Sequence, residues 1–192
     1  MAFHNPNFWE QRYEQHPELF DWYAQLPQFQ QHVLPLIEPT SKILILGGGT
    51  SRLPFQLYDL GYKYITVVDF SLNAKKAVQN ALLDRPEIQY IMSDINCFDS
   101  NSKFDFVFDK GCIDCVLANP QEPVESLKIV LKNIHRLMNQ KAVWVSISFD
   151  IDREEYFKDA ADIFQSQQQS LVIQLLTNPV KKVFYVYYLR KQ

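Results

Sequence analysis

"ILILGGGTSRLPFQLYDLG", Ile43–Gly61, decides the fold of this chain. An unbroken aliphatic run meets three consecutive glycines, and a stretch with apolar positions at Leu53, Leu57 and Leu60 follows until Gly61 stops it. The run reads as a strand buried on both faces, and the stretch beyond the glycines as a helix. A strand entering a helix through a bare glycine turn leaves room for a nucleotide-like ligand to approach the backbone. Dinucleotides, mononucleotides and an adenosyl sulfonium all suit such a beginning. The remainder of the chain has to choose among them.

Working outward, Lys42–Leu46 is the first strand and Tyr64–Phe70, "YITVVDF", the second. Ser71 can cap a helix running to about Leu83. "IQYIMSD" and "KFDFVFDKG" read as the third and fourth strands. Val124, Leu127, Leu131, Ile134 and Met138 mark one helix face, and "AVWVSISF" is the fifth strand, with an acidic-started helix from about Asp152 after it. The glutamine-rich Gln165–Ser170 is expected to be a surface turn or helix end. Leu171–Lys191 is expected to form a hairpin around Asn178-Pro179. Strands alternating with helices imply an α/β fold, a mainly parallel sheet with helices on both faces. Ligands of such sheets bind beyond the carboxyl ends of the strands, so Gly47–Gly49, Asp69, Asp94 and Asp109–Asp114 should share one rim.

The 192 residues, 47% apolar and 14% aromatic, suit a single domain whose first forty residues form a helical, aromatic arm. A formal charge of -3 gives no electrostatic reason to expect nucleic acid or an anionic membrane surface as partner. No apolar run approaches the ~20 residues of a membrane span, and the amino terminus lacks the basic and apolar regions of a signal peptide. Three cysteines, an odd number, point away from a disulfide framework. A soluble cytoplasmic protein is the expectation. Cys112 and Cys115 have no second cysteine pair, and no metal site is expected.

The glycine turn itself narrows the ligand. A dinucleotide fingerprint wants a third spaced glycine where this chain has Arg52, and no Gly-Lys-Ser/Thr phosphate loop follows. Asp69 ends the second strand about twenty residues beyond the glycines, where a carboxylate can accept both ribose hydroxyls. Asp94 ends the third strand and could accept from an adenine amino group, with the backbone near Ile95 as a donor. Glycine turn, ribose acid and adenine acid describe an adenosine site without a diphosphate. S-adenosylmethionine fits that description.

Three stretches then carry a resemblance. "FWEQRYEQHPELFDWY" (Phe8–Tyr23), "LGGGTSRLPFQLYDLGY" and "FDFVFDKGCIDCVL" are similar to the aromatic arm, glycine loop and Asp-Lys-Gly-Thr-x-Asp-Ala box of class I, seven-stranded S-adenosylmethionine-dependent methyltransferases. Within them, the chain resembles the small protein-lysine methyltransferases of elongation factor 1A and citrate synthase. Asp109, Lys110, Gly111 and Asp114 match the box, whereas Cys112 and Cys115 replace its threonine and alanine. The resemblance implies a sheet of order 3-2-1-4-5-7-6 with the last strand antiparallel. It implies cofactor contacts from Trp9, Arg12, Tyr13, Gly47, Gly48, Gly49, Ser51, Asp69, Phe70, Ser71, Asp94, Ile95, Asp109 and Lys110. It also implies substrate contacts from Trp22 and Asp114, with Asp109 as the catalytic group that orients an acceptor amine. The expected reaction is methyl transfer to a lysine of a protein, such as a translation factor or metabolic enzyme. A small-molecule N-, O- or S-methyltransferase and a non-catalytic cofactor-binding module are the alternatives, because substrate sites vary independently of this fold.

Overall fold

The first strand is covered on both of its faces. In the computed structural model, which describes residues 3–158, 162–174 and 181–191, β1 (Ile43–Leu46) is buried at every position. Ile43 and Ile45 point into a cluster with Phe29, Val33, Leu53 and Phe108 on one face of the sheet. Leu44 and Leu46 point into another, with Leu131, Ile134 and Trp144. Burial of each such side chain is worth roughly 1.5–3 kcal/mol before entropy is counted, so a polar residue here would leave one layer unsupported.

Around β1 lie β2 (Ile65–Asp69), β3 (Gln89–Met92), β4 (Phe104–Lys110), β5 (Met138–Ser148), β6 (Phe164–Gln174) and β7 (Lys181–Lys191). Their order in the single seven-stranded sheet is β3-β2-β1-β4-β5-β7-β6, with β7 antiparallel to both of its neighbours. This is the expected topology. The helices are α1 (Pro6–Gln15), α2 (Leu26–Val33), α3 (Leu53–Asp59), α4 (Leu72–Leu83), α5 (Cys112–Leu117), α6 (Pro123–Leu137) and α7 (Arg153–Lys158). α2, α3 and α4 feed the first cluster, whereas α5, α6 and α7 feed the second. Register brings the functional ends level, since Leu46 pairs with Val68 on one side and Asp109 on the other.

Two local expectations need correcting. The glutamine-rich segment is neither turn nor helix end; it lies in β6, paired with β7 from Phe164↔Lys191 onward. An edge strand has one face of its backbone ladder satisfied and the other open, so polar side chains are tolerated there and hydrophobic patterning fades. Met138 opens β5 instead of closing the preceding helix. The strands flanking Asn178-Pro179 pair as a hairpin should, although that dipeptide itself lies outside the described residues.

The amino-terminal arm is fastened across the carboxyl rim. Ser71 caps α4 by accepting from the Ala74 amide at 3.0 Å. Glu10, on α1, accepts from the next free amides of the same helix end, Leu72 at 2.7 Å and Asn73 at 3.2 Å. A carboxylate at a helix amino terminus also meets a favourable dipole. α1 is thus held above the end of β2.

Candidate active site

The rim is built around Asp69. Its two oxygens accept from the Gly49 amide at 2.8 Å and the Ser71 amide at 2.9 Å. Gly49 adopts a left-handed φ of 50°, and a β-carbon there would collide with the Tyr13 hydroxyl. Only glycine serves that position. A carboxylate offers about four acceptor positions; the two backbone amides occupy half of them. Asp69 also lines a cavity of about 320 Å³ with Trp9, Tyr13, Trp22, Tyr23, Gly47, Phe70 and Lys110. Two acceptor positions are left over, as many as the hydroxyl donors of a ribose, so the residues present fit the adenosine half of S-adenosylmethionine. Burial pushes the Asp69 carboxyl up to about 6, against the two amide hydrogen bonds that favour the ion.

The arm forms the cavity's other wall. Trp9 stacks on Tyr13 with centroids 5.9 Å apart and meets Trp22 edge-on at 5.4 Å. Lys110 reaches from the end of β4 to donate to the Trp22 carbonyl at 2.6 Å and lies 3.6 Å from Asp21. The Ser51 hydroxyl donates to the same aspartate at 2.5 Å. Asp21 therefore ties arm, glycine loop and β4 together, and nothing in its sequence surroundings announces this. Burial lowers the Lys110 ammonium to about 8, opposed by Asp21. Asp21→Ala should loosen the clasp and weaken cofactor binding roughly tenfold, the equivalent of one good hydrogen bond. Hydrogen exchange of the α1 amides should quicken in parallel; unchanged affinity and protection would exclude the clasp.

The acids of the box occupy different places. Asp109 has no exposed surface and is not part of the cavity wall. Its carboxylate accepts from Trp144 Nε1 at 2.9 Å and the Ile113 amide at 3.2 Å, with Ser146 as a further partner. Asp114 does line the cavity. Its Oδ1 accepts from Ser148 Oγ at 2.6 Å and Arg153 Nε at 2.8 Å. Its Oδ2 accepts from the Tyr23 hydroxyl at 2.8 Å and the Phe149 amide at 3.3 Å. Gly111, at φ 84°, lets the Tyr23 ring pass within 3.0 Å of where a β-carbon would stand. The Cys112 thiol is pushed up by burial and that of Cys115 to about 12 for the same reason, so neither is an activated nucleophile.

Burial also raises Asp109, to about 7. A carboxyl whose folded pKa exceeds its unfolded value binds more protons when folded, so its contribution to stability declines as pH rises between the two values. For Asp69 and Asp109 that window runs from about 4 to about 7. The ligand-free protein should accordingly melt several degrees higher at pH 5.5 than at pH 7.5. A scan showing the opposite order would refute this.

Residues 44–145 match the family model described as a methyltransferase domain. The chain belongs to that family. The mouse protein "EEF1A lysine methyltransferase 4" is 28% identical over 151 residues, covering 73% of this chain and 59% of the relative. The human "eEF1A lysine and N-terminal methyltransferase" is 27% identical over 150 residues, covering 76% of this chain and 22% of that one. The chain thus spans little more than half of the first relative and about a fifth of the second. The N-methyltransferase NodS from Bradyrhizobium japonicum, a structure with S-adenosylhomocysteine, superposes with a TM-score of 0.66 at 12% identity, over 95% of this chain and 98% of its own. That likeness concerns the fold.

In this chain, the cavity gathers Trp9, Tyr13, Trp22, Gly47, Asp69, Phe70, Lys110 and Asp114 from the expected site. Gly48 and Ser51 line a smaller adjoining hollow that shares Tyr13, Trp22, Gly47 and Lys110. Ser71 is spent on capping. Asp94 is exposed and accepts from the Asn96 amide at 2.8 Å, while the Ile95 side chain joins the core. Arg12 lies over the Phe20 ring, and its Nη1 is buried without a partner. Sequence reasoning missed Phe3, Phe149 and Arg153 in the wall. Arg153 meets Asp114 only after thirty-nine residues of chain, a pairing with no local pattern to reveal it.

Proposed function

We propose that this chain transfers the methyl group of S-adenosylmethionine to a lysine side chain of a protein, in the cytoplasm. The observation that carries the reading is Asp69, half-saturated by backbone amides and open to the cavity beside the glycine turn. The names of the relatives, elongation factor lysine methyltransferases, support the lysine acceptor. We take the chain as one domain, residues 1–192, with residues 1–40 as the arm that covers the cofactor.

S-adenosylmethionine supplies a methyl group activated on a sulfonium sulfur. Asp69 would accept from its ribose, Phe70 would offer an apolar surface, and Gly47 would let the backbone approach it closely. Arg12, whose Nη1 is buried without a hydrogen-bond partner, would suit the methionine carboxylate. Tyr13 and Trp9 close over them and exclude water. The acceptor lysine has to be neutral, which at pH 7.4 costs about 4 kcal/mol from an ordinary pKa of ~10.4. An aromatic cavity removes solvent from the ammonium, and the buried Lys110 cation disfavours a second charge, so both lower this cost. We assign Asp109 to a positioning role: it holds the start of α5 against Trp144 and does not touch the amine.

Transfer of radiolabelled methyl from S-adenosylmethionine to whole-cell lysate tests the reading. Label in protein bands, located on lysine by mass spectrometry, is expected. Label confined to small molecules would overturn the protein acceptor.

A further inference from the structure

Tyr23 stands in a backbone conformation that its side chain makes unfavourable. Its φ is 63°, and no other non-glycine residue described has a positive value. The Ala24 amide donates across it to the Trp22 carbonyl at 2.7 Å, a three-residue turn of the rare, strained kind. Such a conformation persists in a bulky residue only where its surroundings impose it, and it gathers at functional sites. Here the turn carries the phenol ring past Gly111, whose missing side chain leaves the passage open, and onto the Phe184 ring at 5.0 Å. The hydroxyl ends at the cavity wall beside Asp114.

The direction of its hydrogen bond is forced. Asp114 Oδ1 accepts from Ser148 Oγ and the Arg153 guanidinium, and Oδ2 accepts from the Phe149 amide. A carboxylate paired with a guanidinium only accepts, so the Tyr23 hydroxyl, 2.8 Å from Oδ2, donates. Burial first, and Asp114 next, hold that phenol well above its ordinary pKa, and the proton stays on its oxygen. With its one hydrogen committed to Asp114, the oxygen presents only lone pairs to the cavity, and no described residue donates to it.

This is an acceptor without charge. A free carboxylate in its place would favour the ammonium form of an approaching lysine, whereas a phenol oxygen can orient the neutral amine without that penalty. On the lysine reading above, we propose that Tyr23 receives an N–H of the acceptor amine and thereby aims the nitrogen lone pair at the methyl group. The lone pair forms the new N–C bond as the S–C bond breaks. The electron pair of that bond stays on sulfur, which leaves as a neutral thioether. The new ammonium keeps its hydrogen bond to Tyr23 until it gives a proton to water. Asp114 and Arg153 act through Tyr23: they fix its hydrogen and do not touch the amine.

Tyr23→Phe is the test. It keeps the ring and its stack on Phe184, and it strands no donor, because Asp114 retains its other three partners. The melting temperature and the calorimetric affinity for S-adenosylmethionine should therefore stay close to those of the wild type. With saturating cofactor, the initial rate at which radiolabelled methyl enters lysine of whole-lysate protein should fall about tenfold or more. That is the equivalent of one hydrogen bond. The variant also leaves one position on Asp114 open to the amine, and a carboxylate there favours the ammonium. The acid limb of its pH–rate profile should accordingly move up by about one unit. An unchanged rate would overturn the proposal. So would a slower rate with an unshifted limb, which is what mere loosening of the wall would give. Labelled lysine in the wild-type reaction separates both results from failure of the lysine reading, and its absence would remove reading and proposal together.

Discussion

Asp69→Ala is expected to weaken S-adenosylmethionine binding by about a hundredfold or more. Two hydrogen bonds to an ionised carboxylate, each worth roughly 1.5 kcal/mol or more, account for about 3 kcal/mol of affinity. The same substitution releases the Gly49 amide, which the carboxylate holds at 2.8 Å, so the loop loses its shape as well as its ligand. Calorimetry on protein shown by circular dichroism to be folded is the measurement, and unchanged affinity would refute the ribose assignment. Wild-type affinity should also decline as pH drops below about 6, because burial leaves the ligand-free carboxyl protonated there and the ribose hydroxyls donate to the ion.

Asp109→Ala is expected to lower stability by about 3 kcal/mol, which for a domain of this size moves the melting temperature by roughly 6–12 °C. The substitution opens a void and strands Trp144 Nε1 and the Ile113 amide, both hydrogen-bonded to the carboxylate and both buried. Asp109→Asn keeps volume and one acceptor, so it should cost less stability and retain turnover per folded molecule. A severe loss of turnover in folded Asp109→Asn, with cofactor affinity intact, would instead restore Asp109 to the reacting amine. Thermal melts and single-turnover assays on both variants separate these outcomes.

The different fates of Asp69 and Asp109 show what can be read from a linear chain. Both end buried parallel strands, and both lie on the rim that the strand order dictates. Asp69 could be placed on the rim because its distance from the glycines reflects one βα unit of nearly constant length. Asp109 stands at an equally suggestive place, but Trp144 lies 35 positions away and reaches it only because β4 and β5 are neighbours with a particular register. Asp94 also occupies the rim position that strand order predicts, yet its carboxylate is turned back on the Asn96 amide. Rim position was legible; side-chain direction was not.

The strand order came from the resemblance to the seven-stranded methyltransferases; the sequence by itself determined the α/β class, the glycine turn and the rim on which Asp69 stands. These depend on local periodicity, on residue types that only a tight turn requires, and on connection rules that allow few topologies. The tertiary structure alone decided which acids remain available. Whether a carboxylate can receive a ligand depends on how many donors from distant segments already surround it: two backbone amides at Asp69, three partners at Asp109 and four at Asp114. Those donors arrive through packing between elements far apart in the chain, and hydrogen-bond saturation is a property of that meeting, which no single stretch of residues contains.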